Sequence, residues 1–439
     1  MKRVLLVSPH FPPVSAADMH RVRMLVPFFE KNGWQAEVLA VDPEQVAAPL
    51  DPVLASGLPA GLPVHWVGAL DRGWSRLPGL GTLGLRCLPG LANAGNALLS
   101  TGRFDMVYFS TTVFEVHVLG PRWKKRFGVP FAMDYQDAWV SDYYDDNPDV
   151  PVPGGRWKYW LAGKLHRWME PRVLRECAGI TSVSPEYPRQ LAQRYPDVMS
   201  SMPSLVQGFP GAQRDFDRLP DPRSAQAPFD PDDGSVHWVY VGRGGPDMRH
   251  ALRGFFQALR DAADPGLLCL LRLHFIGTSY AAAGTGSPTV APIAAEFGLA
   301  HLVHESTDRI SYTLTLWCLR NAHALIVPGS DDPAYTASKI YPYLLARRPM
   351  LAIFHGKSSV VDLIARVGGA VCIAFDSGQP VAALAESIRR DWLDSGAHAR
   401  VIGMDMDAFA PFTDVGCAKV MSRFFDTCAV AQDPTVPLA

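Results

Sequence analysis

Twice along the chain, short uninterrupted apolar runs alternate with segments of helical period. That alternation restricts the fold to parallel α/β sheets covered on both faces. In the first series Val4-Leu5-Leu6-Val7 reads as a strand, after which Met19, Val22, Leu25, Val26 and Phe29 recur at helical spacing up to Gly33, a candidate C-cap. Further strands are predicted at 37–41, 64–67, 106–110, 131–135 and 180–184. Residues 208–234 are dense in proline and charge without any period, and read as a linker. The alternation then restarts, with strands at 236–241, 271–276, 302–304, 324–327 and 350–354 and helical patterns between them. A last periodic segment, VGCAKVMSRFFDTCAV, follows the completed second sheet and is expected to return to the first domain. The predicted organisation is an α/β fold of two Rossmann-like parallel-sheet domains facing across a cleft: 1–207, linker 208–234, 235–410, and a C-terminal helix within 411–439 packing on the N-terminal domain.

Composition narrows the function. A chain of 439 residues, 48% hydrophobic, can bury two ordinary cores, and a net charge of -2 lacks the basic excess of a nucleic-acid protein. Seven cysteines, scattered singly, point to a reducing cytoplasm and offer no zinc site. No apolar run reaches membrane-spanning length, so any membrane contact is expected to be peripheral. Three irregular stretches, 43–63, 70–100 and the acidic run from Ser141, read as surface loops. The segment 156–177 interleaves Arg156, Lys158, Lys164, Arg167, Arg172 and Arg175 with Trp157, Trp160, Leu161, Leu165 and Trp168. Such a helix suits either an anionic membrane surface or packing of its aromatic stripe on the sheet.

In open parallel sheets ligands sit outside the carboxyl ends of the strands. In the second half those positions give Gly242-Arg243-Gly244-Gly245, Gly277-Thr278-Ser279, Glu305, and Ser330 with the stretch PAYTASK that ends at Lys339. Glycines allow close backbone approach, and Arg243, Arg249 and Lys339 are charge-assisted donors suited to a diphosphate. Free N–H groups at the predicted helix start, with the hydroxyls of Thr336 and Ser338 beside Tyr335, make an anion site, although Pro342 is an odd residue so near that start. In the first half the strand ends give Pro9 to Pro13, Ser110-Thr111-Thr112, and Asp134-Tyr135-Gln136-Asp137-Ala138-Trp139. Polar groups beside aromatics suit a sugar, with Asp137 the best carboxylate candidate and His10, His20 and His117 either ligand contacts or structural. Motifs for hydrolase, P-loop or dinucleotide chemistry are absent from the sequence.

These strings resemble a GT-B glycosyltransferase of the family 4 kind over nearly the whole chain. RVLLVSPHFPP, DYQDAW, VQGFPGAQRDF, YVGRGGPDMRHALRGFFQAL and SKIYPYLLARRPMLA carry the resemblance. It implies a retaining, metal-independent transfer from a nucleotide-sugar, with no cofactor, to a glycan, lipid-linked or small-molecule acceptor. Arg243, Lys339 and Asp137 are then the candidate catalytic residues, and Arg249 stands near the family's lysine. Gly242, Gly277, Thr278, Ser330, Asp332, Tyr335, Thr336 and Ser338 join Arg243, Arg249 and Lys339 on the donor side; His10, Pro13, His20, Gln136, Asp137 and Trp139 face the acceptor. The family's two glutamates, eight positions apart, are replaced by Ala334 and Pro342, leaving Asp331 or Asp332 to meet the donor ribose. A catalytically silent binding relative, or a nucleotide-sugar epimerase, are the alternatives.

Overall fold

The computed structural model describes residues 1–71, 81–140, 156–219, 227–262, 264–281, 283–332 and 339–430. The chain divides into two compact units, Met1–Pro210 with Asp414–Ala439, and Gly211–Thr413.

Unit 1 is built on a seven-stranded sheet of order β3-β2-β1-β4-β5-β6-β7. Its strands are β1 (Lys2–Val7), β2 (Trp34–Val41), β3 (Val64–Val67), β4 (Met106–Ser110), β5 (Phe131–Tyr135), β6 (Gly179–Ser182) and β7 (Ser204–Val206), and every pairing is parallel. The central strands β1 and β4 are apolar on both faces because helices cover both. The helix His20–Phe29 lays Val22, Leu25, Val26 and Phe29 on one side of the sheet, and the chain turns away through Gly33 at φ 87°, where a left-handed residue is needed. The C-terminal helix Asp414–Val430 lies on the same side. Its buried Phe425 meets Phe29 at 5.5 Å, Trp34 at 5.4 Å and Tyr108 at 5.1 Å, so the expected return to the first domain is present.

Unit 2 has a six-stranded parallel sheet of order β10-β9-β8-β11-β12-β13, from β8 (Val236–Val241), β9 (Leu271–Ile276), β10 (Val303–Ser306), β11 (Ala324–Pro328), β12 (Met350–His355) and β13 (Val371–Phe375). In both sheets the order reverses beside the first strand, the crevice position where open α/β sheets take their ligands.

Several local expectations change. The run 70–100 contains a helix, Leu83–Leu99, whose Cys87, Leu91 and Leu99 enter the core despite Pro89 and repeated glycine. The proline-rich stretch 208–234, expected to be a linker, contributes a short helix, Gln213–Asp217, and its Phe216 and Phe229 belong to the core of unit 2. Within 43–63 two 3-10 turns, Pro43–Gln45 and Pro52–Gly57, are capped by Asp42 and Asp51. The acidic run from Ser141 lies outside the described residues. Among the described residues no helix is long and apolar enough to cross a membrane.

Candidate functional site

In unit 2 the candidate donor residues gather around the carboxyl end of β8. Gly242 donates its N–H to the Ile276 carbonyl and Gly244 to that of Thr278, both at 2.8 Å, which ties this loop to the end of β9. Tyr240, near the end of β8, donates its hydroxyl to the Arg243 carbonyl (2.7 Å) and accepts from Lys339 Nζ (2.5 Å), whose ammonium lies 4.7 Å from the ring centroid. Lys339 is held there because the helix it precedes, Ile340–Leu345, is pinned by Tyr343. That phenol accepts from Val241 N–H (2.7 Å) and donates to Val241 C=O (2.9 Å). A Cβ at position 242 would collide with Lys339 Nζ and come 3.0 Å from the Tyr240 hydroxyl, so the glycine is what lets the lysine reach the strand edge. Burial, then the nearby positive charges of Arg243 and Arg309, depress the Lys339 pKa to about 7.

Arg243 forks onto Asp247 through two bonds of 2.9 and 2.6 Å. The hydrogen bonds from Arg243 hold the Asp247 carboxyl below its ordinary range against the effect of burial, with Ser330 assisting. The loop after β11 reaches the same place: Asp331 donates its N–H to the Asp247 carbonyl (2.8 Å), and Ser330 Oγ accepts from the Asp332 N–H (3.0 Å). Gly242, Arg243, Ser330, Asp332 and Lys339 are therefore neighbours, although they come from three separate stretches of sequence. Gly277, at φ 74°, and Thr278 stand at the adjoining strand end, but the Thr278 hydroxyl donates to Glu305 (2.8 Å). Glu305 in turn caps the helix Ala291–Glu296 by accepting the N–H groups of Thr289, Val290 and Ala291 at 2.8, 3.0 and 2.8 Å.

Arg249 departs from expectation. It opens the helix Arg249–Arg260, and its exposed guanidinium pairs with Glu296, which Arg253 also approaches. The structure does not bring it to Arg243 and Lys339. Tyr335, Thr336 and Ser338 lie outside the described residues. The oddity of Pro342 resolves in part: it is the third residue of a six-residue helix, where its missing N–H is one that no intrahelical acceptor would have met. The predicted longer helix stops at Leu345, and Arg347 takes a left-handed φ of 51°.

Unit 1 presents a second polar centre at the carboxyl ends of β1, β4, β5 and β6. His10 Nδ1 is 2.8 Å from Asp18 Oδ1, and Asp18 also accepts from the Thr111 hydroxyl (2.8 Å) and the Thr112 N–H (3.2 Å). Burial alone would raise the Asp18 pKa, but His10 and these donors carry it below its ordinary value. Gln136 donates to the Asp18 carbonyl (3.1 Å), Ser110 Oγ (2.9 Å) and Asp134 Oδ2 (2.7 Å). Asp134 is salt-bridged to Arg21 at 2.6 Å with both side chains fully buried, and it accepts from Ser110 (3.0 Å) and Thr181 (2.7 Å) as well. Pro12–Pro13 is a cis peptide beside His10, and His20 opens the first helix.

The remaining acceptor-side candidates separate. Asp137 is exposed, accepts the Ala138 N–H (2.8 Å) and, together with burial, helps push the Tyr187 phenol up to about 12. Trp139 is buried, stacked on Phe114 at 5.7 Å and packed on His117 at 5.2 Å, so its ring face is taken by protein. Burial lowers the His117 pKa to about 4, which marks it as a neutral structural imidazole. Asp18, Arg21, Tyr240, Asp247 and Arg309 do not stand out in the sequence, whereas Asp134 is the first residue of the strand-end string DYQDAW. Of these, Arg309 follows β10 and could have been found by reading one residue group further past that strand end. Among the described residues no cluster of three or more His, Cys, Asp or Glu side chains is arranged to hold a metal ion.

Residues 20–198 match the family model described as a glycosyl transferase 4-like domain. This span is therefore that of a glycosyl transferase 4-like domain, and the two parallel-sheet units match the GT-B fold. The matched span holds Arg21, Asp134, Gln136 and Asp137 but begins after His10 and Asp18. Similar solved structures include Anabaena HepE in complex with UDP and glucose, at 12% identity and TM-score 0.50 over 98% of each chain. Another is the E. coli trehalose-6-phosphate structure bound with UDP-2-fluoro glucose, at 9% identity and TM-score 0.58 over 100% of each chain. A third is a UDP-forming trehalose-phosphate synthase from Burkholderia xenovorans, at 11% identity and TM-score 0.51 over 98% of this chain and 99% of the other. At these identities the likeness is one of fold. A comparison with curated proteins found no match.

Proposed function

We propose that this glycosyltransferase draws its sugar from a nucleotide-sugar whose diphosphate is held in unit 2 by Arg243 and Lys339. One observation carries the reading. Lys339 is half-buried beside other positive charge, and among the described residues its ammonium bonds the neutral hydroxyl of Tyr240 rather than a carboxylate. A cation destabilised in that way is relieved by an anionic ligand, and the two charges would stabilise the diphosphate as it leaves. Asp247 keeps the Arg243 fork oriented until a diphosphate competes for it. UDP is the first base to test, because HepE and the E. coli structure are described with UDP or a UDP-sugar.

The acceptor, a glycan, lipid-linked or small molecule, would meet unit 1 near His10, Gln136 and exposed Asp137. We further propose retention of anomeric configuration and independence of a metal, both implied by the family resemblance. A cytoplasmic setting accords with seven free cysteines. One feature favours a second reading, a silent binding relative: Pro342 stands where the family's ribose-binding glutamate would be, and it has no group to offer a hydroxyl.

Release of nucleoside diphosphate from a panel of nucleotide-sugars, with and without a mixed glycan and lipid extract as acceptor, separates the two. Arg243→Ala and Lys339→Met should each slow release by about a hundredfold or more. A wild-type protein that binds a nucleotide-sugar yet never releases the diphosphate would replace transfer with the silent reading. Product NMR then reports the anomer, and chelator treatment the metal requirement.

A further inference from the structure

The helix Arg156–Leu174 has two unlike sides. At 100° per residue, Trp157, Trp160, Leu161, Lys164, Leu165, Trp168 and Arg172 fall within an arc of about 140°. Along that arc the apolar members are exposed: Trp157 66%, Trp160 47%, Leu161 38%, Leu165 37% and Trp168 56%. A core-packing stripe is the opposite of this, and the aromatic stripe is therefore not what seats the helix on the sheet. The opposite side does that work. Met169, Val173 and Leu174 are buried, Glu170 accepts from Tyr195 (3.0 Å) and Arg194 (3.2 Å), and His166 lies against Glu115 and edge-on to Phe114 and Trp139.

Charge accompanies the exposed face. Within the helix there are five Lys or Arg residues, and Glu170, its single acid, is on the buried side. Lys164 Nζ sits 3.9 Å from the centroid of Trp160, and the Arg172 guanidinium 4.3 Å from that of Trp168, so cations and indoles occupy one surface together. Indoles bordered by cations are the composition that lies in the headgroup layer of a negatively charged bilayer, with rings at acyl depth and cations at phosphate.

We infer that the exposed face of the helix Arg156–Leu174 docks this glycosyltransferase onto an anionic lipid surface, and that its acceptor is an amphiphile carried in that surface. The second part rests on the transfer reading above. It follows from the seat of the helix: His166 packs on Trp139, two residues after Asp137 and three after Gln136, so the docking face and the acceptor-side loop are joined through one side-chain layer.

The test is flotation of the full chain with phosphatidylcholine vesicles, with and without phosphatidylglycerol. Wild-type protein should float with the anionic vesicles and not with the neutral ones, with binding weakened by added salt. Combined Trp157→Ala, Trp160→Ala and Trp168→Ala should lower partitioning about tenfold or more, and Lys164→Glu with Arg172→Glu should remove the preference for anionic lipid. Indole fluorescence quenched by brominated lipid in the wild type would place the rings at acyl depth. Equal flotation of the triple variant, no flotation of wild type, or a wild-type dimer in gel filtration that the triple variant abolishes would each overturn the proposal. Nucleotide binding measured on the same preparations keeps the two readings apart: flotation without nucleotide binding sinks the transfer reading, and nucleotide binding without flotation sinks the docking. The acceptor claim falls if transfer from the donor goes to water-soluble glycans and never to vesicle-borne lipid.

Discussion

Lys339 gives the sharpest quantitative prediction. Its pKa is brought from an ordinary 10.5 down to about 7, chiefly by burial and then by Arg243 and Arg309. If the diphosphate binds the ammonium form, affinity follows the protonated fraction, which is about one half at pH 7 and about one hundredth at pH 9, so binding should weaken about fifty-fold between them. A nucleotide-sugar is the right probe, since its diphosphate has no proton to lose in that range. Calorimetry in buffers of different ionisation heat should also show uptake of about half a proton per site at pH 7. The free protein shows the converse sign. A lysine whose folded pKa lies below its unfolded value destabilises the fold fully below pH 7, and the penalty fades as pH rises towards 10.5. Lys339→Met should therefore stabilise the unliganded protein most at or below pH 7. The limit set by the shift is roughly 5 kcal/mol, and partial solvent access reduces the expectation to about 2 kcal/mol. Affinity that stays flat from pH 7 to 9, without proton uptake, would refute the role given to the ammonium.

Other outcomes follow from named contacts. Arg249→Ala should change nucleotide affinity less than about threefold, because its guanidinium is engaged with Glu296, whereas Arg243→Ala should lower it at least about tenfold; equal effects in titration would return Arg249 to the diphosphate site. Arg21→Met leaves the fully buried Asp134 without its counter-ion and should cost about 3–5 kcal/mol in denaturant unfolding. His274 is buried against His237 and His304, and its pKa is pushed down to about 3, mainly by burial. An unfolded histidine binds its proton near pH 6.5, so stability should decline as pH falls below that and continue to decline towards pH 3. In His274→Gln the slope of melting temperature against pH over this range should be shallower.

Periodicity carried most of the fold. Continuous apolar runs such as Val4 to Val7 and Ala324 to Val327 are long and bounded, and both became strands. The leftover period of VGCAKVMSRFFDTCAV correctly implied a helix without a sheet of its own to cover, and Phe425 shows where it went. Shorter elements escaped. Ser204–Val206 has three residues and Val371–Phe375 lies in a run broken by a cysteine and an alanine, so neither contrasts with its flanks. Leu83–Leu99 was hidden because Pro89 and three further glycines argue locally against a helix that burial of Cys87 and Leu91 sustains.

The candidate site was legible where it lies directly after a strand, as with Gly242 and Arg243, because sheet topology says which end to read. It was not legible where the candidate site is built from a pairing distant in sequence. Asp18 meets Thr111, and Arg21 meets Asp134 across 113 positions; Arg21 looks in sequence like the polar side of an amphipathic helix. Arg249 misled for the reverse reason: proximity to Arg243 in sequence says nothing about which way a helix-starting side chain runs.

The central claim is that Arg243 and Lys339 hold a nucleotide diphosphate. Its most direct test is a thermal-shift titration of wild type and Arg243→Ala against UDP, GDP, ADP, TDP and CDP, since a ligand of the folded state raises its apparent stability by mass action. One nucleotide should stabilise the wild type in a concentration-dependent way and leave the variant unmoved. Stabilisation of both proteins alike, or of neither by any of the five or their sugar esters, would contradict it.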